Sequence, residues 1–164
     1  MSSLQYAQTC VAADGSRCED EPELSSRIRK ALPALLILYG VASFAHFVHN
    51  AEFLADYPNL PVWLTRGQVY VAWSGITGVG VLGYLLTRAR YELVGFGVIG
   101  VYAAIGLDGL LHYGRAPMAA HTVTMNLTIW FEVVAALLVL VAISTLMGAH
   151  LATLRLDLRR STLK

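Results

Sequence analysis

Histidine and carboxylate side chains recur at helical spacing within three apolar stretches of the chain. Asp108 and His112 are four residues apart, and His121 follows across a short loop. The first apolar stretch contributes a second group at spacings of three or four residues: His46, His49, Glu52 and Asp56. Residues three or four apart lie on one face of an α-helix, so each group presents imidazoles and carboxylates together. Helical bundles build metal sites from such side chains on facing helices.

The residues that we expect to hold a metal ion are His49, Asp108, His112 and His121, with His46 and Glu52 nearby. Mixed nitrogen and oxygen ligands suit copper(II), zinc or iron. Met118 and Met125 flank His121, and would favour copper(I) if their sulfurs turned towards it. Glu132 lies on the same stripe of the last apolar stretch as His121, and is a candidate proton relay. The catalytic residues, if any, are not identified by this pattern.

The Asp-x3-His pattern followed by a later histidine resembles the intramembrane copper site in the C subunit of particulate methane and ammonia monooxygenases. The resemblance implies that Asp108, His112 and His121 are copper ligands. It covers residues 108–121, about fourteen of the 164 in the chain. In this chain the final histidine comes sooner than in that family, after a Gly-Arg-Ala-Pro turn.

The elements that must position these residues are predicted from composition and hydropathy. The chain is 56% hydrophobic and 14% charged, whereas soluble domains carry about 25% charged residues. Four stretches are long and apolar enough to cross a hydrocarbon core of about 30 Å as helices: 31–54, 67–87, 92–113 and 119–148. No alternating pattern indicates a β-barrel. The sequence therefore predicts an all-α, polytopic membrane protein with a bundle of four transmembrane helices.

The orientation of the bundle is predicted from its basic residues. Of twelve Lys and Arg, only Arg66 and Arg115 lie in the connections at 55–66 and 114–118, which leaves ten on the opposite side. The positive-inside rule therefore places both termini in the cytoplasm. Since the first and third helices run outward and the fourth starts at the outer surface, the histidines of three helices fall within about 15 Å of that surface.

Three regions are expected along the chain: a flexible cytoplasmic tail at 1–26, a transmembrane domain at 27–154, and a basic cytoplasmic tail at 155–164. Cys10 and Cys18 are too far apart for a CxxC redox or zinc pair, and no role is assigned to them. We expect a multi-pass protein of the bacterial cytoplasmic (inner) membrane.

Small and aromatic residues indicate how the helices pack and where they meet the interface. Ser74 with Gly78 and Gly100 with Ala104 are small-xxx-small pairs, which let helices approach closely within the bundle or join another subunit. Tyr57 belongs to a set of aromatic residues near the outer boundary, as in an aromatic belt. The expected partners are the lipid bilayer and either further copies of the chain or a membrane partner subunit. Nothing indicates nucleic-acid binding.

Three functions remain open from the sequence. The first is a copper-, zinc- or iron-dependent oxidoreductase or metal-handling protein, with its site in the outer part of the bundle. The second is an accessory or haem-binding subunit of a larger membrane complex, in which two of the histidines ligate haem b. The third is a small proton-coupled transporter. Whether the protein is an enzyme is left open.

Overall fold

The structure is a computed structural model that describes residues 17–162, and these residues are helical with no β-strand among them. The helices are α1 (Arg17–Glu52), α2 (Arg66–Arg88), α3 (Glu92–Ile105), α4 (Leu111–Arg115) and α5 (Val123–Thr162). Three short 3-10 turns lie between them, at Leu54–Asp56, Asp108–Leu110 and Met118–Ala120. The predicted all-α class is confirmed for this part of the chain.

Four segments are long and apolar enough to cross a membrane: Glu23–Glu52, Arg66–Arg88, Glu92–Arg115 and Val123–Thr162. Their number agrees with the sequence prediction. Large apolar side chains point outward from the bundle, such as Val71 at 73% exposed and Val141 at 65%. An apolar outer surface of this kind is typical of helices that face lipid.

The long helices extend further than the sequence predicted. Helix α1 begins at Arg17, so residues 17–26 of the expected tail are helical, while 1–16 lie outside the described residues. Helix α5 continues to Thr162, through most of the expected basic tail. With 40 residues, α5 is about 60 Å long, twice the thickness of a hydrocarbon core of about 30 Å.

The third span is broken where the sequence predicted one continuous helix. Helix α3 ends at Ile105, and the chain turns through Asp108–Leu110 before α4 begins. Gly106 and Gly109 flank this break, and glycine is unfavourable inside a helix by about 1 kcal/mol relative to alanine. Asp108 therefore lies in the 3-10 turn and His112 in α4, on two consecutive short elements.

The four long helices form an antiparallel bundle in which α1 contacts α2 and α5, and α3 contacts α2 and α5. Aromatic and aliphatic side chains from α1, α3 and α5 fill its interior: Tyr39, Phe96, Ile99, Val139, Ile143 and Leu146. Burial of this apolar surface and close van der Waals contact hold the helices together.

Helices α2 and α3 make their closest approach at Gly83 and Gly95. A Cβ atom at Gly95 would lie 2.7 Å from the backbone nitrogen of Thr87 and 2.9 Å from the carbonyl oxygen of Gly83. Of the small residues singled out in the sequence, Ser74 and Gly78 are exposed and do not pack inside the bundle. The tight helix contact depends on other glycines of the same helices.

At the end of the bundle near the basic tail, Glu92 connects three helices. Its carboxylate accepts hydrogen bonds from Nη1 and Nη2 of Arg29 at 2.9 and 3.1 Å. Nδ1 of His150 lies 3.2 Å from Oε2 of the same carboxylate. His150 thus belongs to a contact between α1, α3 and α5, at the opposite end from the other four histidines.

Candidate functional site

Three imidazole rings stand in a row at the other end of the bundle. The ring centroids of His46 and His112 are 5.4 Å apart, and those of His112 and His121 are 6.2 Å apart. His46 and His121 are buried, at 2% and 6% exposed, and His112 is half-buried. The row joins α1, α4 and the residue just before α5. We refer to His46, His112 and His121 as the histidine row.

His121 is oriented by the backbone of the turn that precedes it. Its Nδ1 lies 3.1 Å from the carbonyl oxygen of Pro117. Because a carbonyl oxygen only accepts, Nδ1 carries the proton and Nε2 keeps a free lone pair. Nε2 is buried without a hydrogen-bond partner among the described residues, and so is Nδ1 of His112. Two neighbouring rings of the row therefore each have a buried nitrogen that is not hydrogen-bonded.

His46 is held by contacts from its own helix and from α5. Nδ2 of Asn50 donates to Nε2 of His46 at 3.0 Å, and Nδ1 of His46 lies 3.4 Å from Oγ1 of Thr128. Oε2 of Glu132 lies 3.7 Å from Nε2 of His46. Ser43, one helical turn before His46, lies beside the same carboxylate and is fully buried.

Glu132 is a buried carboxylate in the span of α5. It is 1% exposed, and Oε2 has no hydrogen-bond partner among the described residues. A buried carboxylate is costly unless it is paired with a cation or takes up a proton. Nε2 of His46 lies 3.7 Å from this carboxylate, so an imidazole and a carboxyl group are neighbours at the inner end of the histidine row.

Tyr57 reaches into the row from the connection between α1 and α2. It is 3% exposed, and its ring centroid lies 5.0 Å from that of His112. Its hydroxyl oxygen is 2.8 Å from Nδ1 of His49. Burial raises the pKa of Tyr57 to about 12, so the phenol is protonated across physiological pH. The sequence grouped Tyr57 with interfacial aromatics, and no local pattern distinguishes it from them.

Two of the predicted metal-binding residues are engaged elsewhere. His49 contacts the hydroxyl of Tyr57 and stacks on Phe53 at a centroid distance of 4.7 Å. Glu52 is exposed and accepts hydrogen bonds from Nη1 of Arg66 at 2.9 Å and from the hydroxyl of Tyr70 at 2.7 Å. The structure therefore brings together His46, His112 and His121, and places His49 and Glu52 at the periphery.

The remaining residues of interest lie on both sides of the row. Met125 is buried at 1% exposed, and its sulfur accepts a hydrogen bond from the backbone N–H of Thr122 at 3.4 Å. Met118 is 46% exposed.

Among residues 17–162, no group of three or more His, Cys, Asp or Glu side chains is arranged to hold a metal ion. The histidine row is thus an array of neighbouring rings whose nitrogens do not converge on one point.

A cavity of about 200 Å³ adjoins the row. Its polar wall consists of His46, Asn50, Gln68, Asp108 and His112. Its apolar wall includes Leu54, Leu60 and Leu64 from the connection between α1 and α2, and Ala72 from α2. We call this space the outer cavity. Asp108, which is exposed, faces it beside His112, so an acid and an imidazole border the same small space.

No protein-family model, curated protein or solved structure matches the chain. What the side chains at this end of the bundle do is therefore argued from their chemistry and geometry.

Proposed function

We propose that the protein is a multi-pass membrane protein that binds a transition metal ion at the histidine row. The observation that carries the proposal is the buried lone pair on Nε2 of His121. Metal-binding histidines commonly donate their other ring N–H to a backbone carbonyl, which fixes the tautomer and the ring orientation. The contact of Nδ1 with the carbonyl oxygen of Pro117 is of this kind.

The ring separations support a shared ion. Nitrogen–metal bonds of about 2.0–2.1 Å put the centroids of two imidazoles on one ion at about 5–6 Å from each other. His112 and His121, which each have a buried nitrogen without a hydrogen bond, are 6.2 Å apart, slightly above this range. Rotation of the half-buried His112 ring would direct its nitrogen and that of His121 to one ion. Asp108, which lines the outer cavity beside His112, would supply an oxygen ligand.

Copper, zinc or iron suits this set of donors. An ion with three protein ligands keeps a position for water or substrate, which is the arrangement of catalytic sites. Glu132 would then accept or relay a proton through His46, its nearest imidazole. On this basis the protein is an oxidoreductase or a metal-handling protein of the bacterial inner membrane. The charge distribution supports a site that faces outward.

Haem binding receives less support from the geometry. Pockets for drug-sized ligands have volumes of about 300–1,000 Å³, and a porphyrin is larger than such ligands. The outer cavity has about 200 Å³, and the rings of the row are in direct edge contact rather than separated by a slot for a macrocycle.

Proton-coupled transport is the second candidate function. The observation that favours it is the contact of 3.7 Å between His46 and Glu132, both in membrane-spanning helices. Intramembrane carboxylate and imidazole groups in series are typical of proton pathways. In this second proposal Glu132 is the group that binds the transported proton, and the metal ion of the first proposal is not involved.

Elemental analysis of the protein, purified in mild detergent without a histidine tag, tests the proposal. We expect near-stoichiometric copper, zinc or iron, and at least about a tenfold loss of affinity in His112→Ala and His121→Ala. His150→Ala is the matched control, because His150 lies at the opposite end and contacts Glu92. A metal-free wild-type protein that is well folded, or equal metal content in all variants, contradicts metal binding and leaves proton coupling as the better account.

A further inference from the structure

We propose that the outer cavity is a binding pocket for a small, neutral organic molecule that carries a hydroxyl group, of about the size of phenol. The proposal goes beyond metal binding and does not require it. It rests on the volume of the cavity and on the chemistry of its two walls.

The volume sets the size of the ligand. An apolar cavity of about 150 Å³ accommodates one benzene molecule, and a water molecule takes about 30 Å³ of liquid. The outer cavity, at about 200 Å³, therefore has space for a single six-membered ring with one or two substituents, or for a short-chain alcohol.

The apolar wall indicates that most of the ligand's surface is apolar. Leu54, Leu60, Leu64 and Val69 line the cavity on this side, and Val69 is 6% exposed. A charged ligand would lose its hydration on entering such a space, which is costly without a full set of partners. This wall favours a neutral hydrocarbon body.

The polar wall sets the position of the hydroxyl group. Asp108 and His112 both line this wall, and Nδ1 of His112 is buried without a hydrogen-bond partner among the described residues. A hydroxyl group both donates and accepts, so it would donate to the Asp108 carboxylate and accept from the imidazole. Pockets that combine a mostly apolar lining with a few convergent polar groups are typical of small-molecule sites.

The same polar wall connects the cavity with the histidine row, because His46 and His112 belong to both. A molecule bound there would have its hydroxyl group next to the proposed metal site. The inference thus names a ligand class for the proposed function, and the ligand contacts that carry it come from Asp108, His112 and the apolar wall.

Fluorine NMR of para-fluorophenol tests the inference, with the protein in lipid nanodiscs and with protein-free nanodiscs as the blank for partitioning into lipid. We expect saturable binding of para-fluorophenol to the protein. Fluorobenzene, which lacks the hydroxyl group, and para-fluorobenzylamine, which is charged, should each bind at least about tenfold more weakly. Equal or tighter binding of either compound contradicts the inference.

Variants test whether the binding that fluorine NMR detects takes place in the outer cavity. Ala72→Phe and Leu60→Trp fill it from two sides and should reduce binding at least about tenfold, whereas Val71→Phe should not. Val71 is the matched control because it is the adjacent residue of α2 and is 73% exposed. Asp108→Leu should weaken the binding of para-fluorophenol by about tenfold and leave the affinity for fluorobenzene unchanged. Retention of binding in both filling variants, with melting temperatures unchanged, overturns the pocket.

Metal content is measured on the same samples, so that a failure of the pocket proposal can be distinguished from a failure of the metal-site proposal. Saturable binding to a metal-free protein supports the pocket and contradicts the metal site. A metal-loaded protein with no saturable binding overturns the pocket alone.

Discussion

Nε2 of His46 lies 3.7 Å from Oε2 of Glu132, and the two side chains are 2% and 1% exposed. The pair joins α1 to α5 in the interior of the bundle. Asn50 of α1 and Thr128 of α5 contact His46, and Ser43 of α1 lies beside the Glu132 carboxyl group.

We predict that His46 and Glu132 are energetically coupled. His46→Leu removes the imidazole that lies 3.7 Å from the buried Glu132 carboxyl group, and loss of a buried polar partner typically destabilises by about 1–3 kcal/mol. The double variant His46→Leu/Glu132→Leu should recover part of that loss, because it removes both polar groups together. The measurement is a double-mutant cycle on the free energy of unfolding in mixed micelles. Strictly additive effects would show that the two side chains do not interact.

The Gly83–Gly95 contact predicts a sharp difference between two alanine substitutions in α3. Gly95→Ala should destabilise by about 1–3 kcal/mol, because the new methyl group would collide with the backbone of α2 and neither backbone can move away easily. Gly97→Ala is the control, since a Cβ there meets nothing within 4 Å. It should be neutral or slightly stabilising, as alanine favours helix. Comparison of thermal melts tests this, and equal melting temperatures would mean that α2 and α3 are further apart.

Tyr57 predicts a loss of stability at alkaline pH. Burial raises the pKa of its phenol from 10.0 to about 12, so the neutral form is favoured in the folded protein. This contribution is fully present below about pH 10 and is lost as the pH rises towards 12. The difference in melting temperature between the wild type and Tyr57→Phe should therefore shrink between these two values. A difference that stays constant over this range would show that Tyr57 ionises equally in the folded and unfolded states.

Glu52 is predicted to contribute little to the site. Its carboxylate is 40% exposed and its partner Arg66 is 65% exposed, and exposed ion pairs contribute about 0–1 kcal/mol. Glu52→Gln should therefore leave both the metal content and the melting temperature nearly unchanged. Loss of bound metal in Glu52→Gln would return this residue to the metal-binding set that the sequence indicated.

The orientation of the bundle is tested by labelling thiols with a membrane-impermeant maleimide. We expect Cys10 and Cys18 to react in inverted vesicles and to be protected in intact spheroplasts, because the basic residues favour cytoplasmic termini. A cysteine at Val62, in a variant without the two native cysteines, should react in the opposite way. Val62 is fully exposed in the connection between α1 and α2. The reverse labelling pattern would invert the proposed sidedness of the histidine row.

The number of long helices was predictable because apolar segments of that length have few other structures available to them. The helical periodicity likewise identified the stripe of α5 that carries Met125 and Glu132, both of which are buried. The predicted face of α1, in contrast, combines buried His46 with exposed Glu52. Hydropathy gave the ends of these helices less accurately. Residues 17–26 and 155–162 are polar yet helical, since a helix already formed in the bundle is readily extended by further residues.

The partners of the individual side chains were not predictable, because they depend on the path of the connections. The chain after α1 folds back so that Tyr57 reaches His49, which the sequence had grouped with the metal ligands. Glu52 pairs with residues of α2 for the same reason. The break after Ile105 places His112 in a separate short helix rather than in a regular continuation of α3. None of these features has a periodic pattern in the sequence.

Helix α5 runs from Val123 to Thr162 as one uninterrupted element, with Glu132 near one end and Arg159 and Arg160 at the other. A helix without a break behaves as a stiff rod, since bending it would stretch its backbone hydrogen bonds. Displacement of α5 along its axis would therefore move the Glu132 carboxylate and the distant basic turn by equal amounts. The position of Glu132 at one end of the protein is thus coupled through α5 to the position of the basic turn at the other.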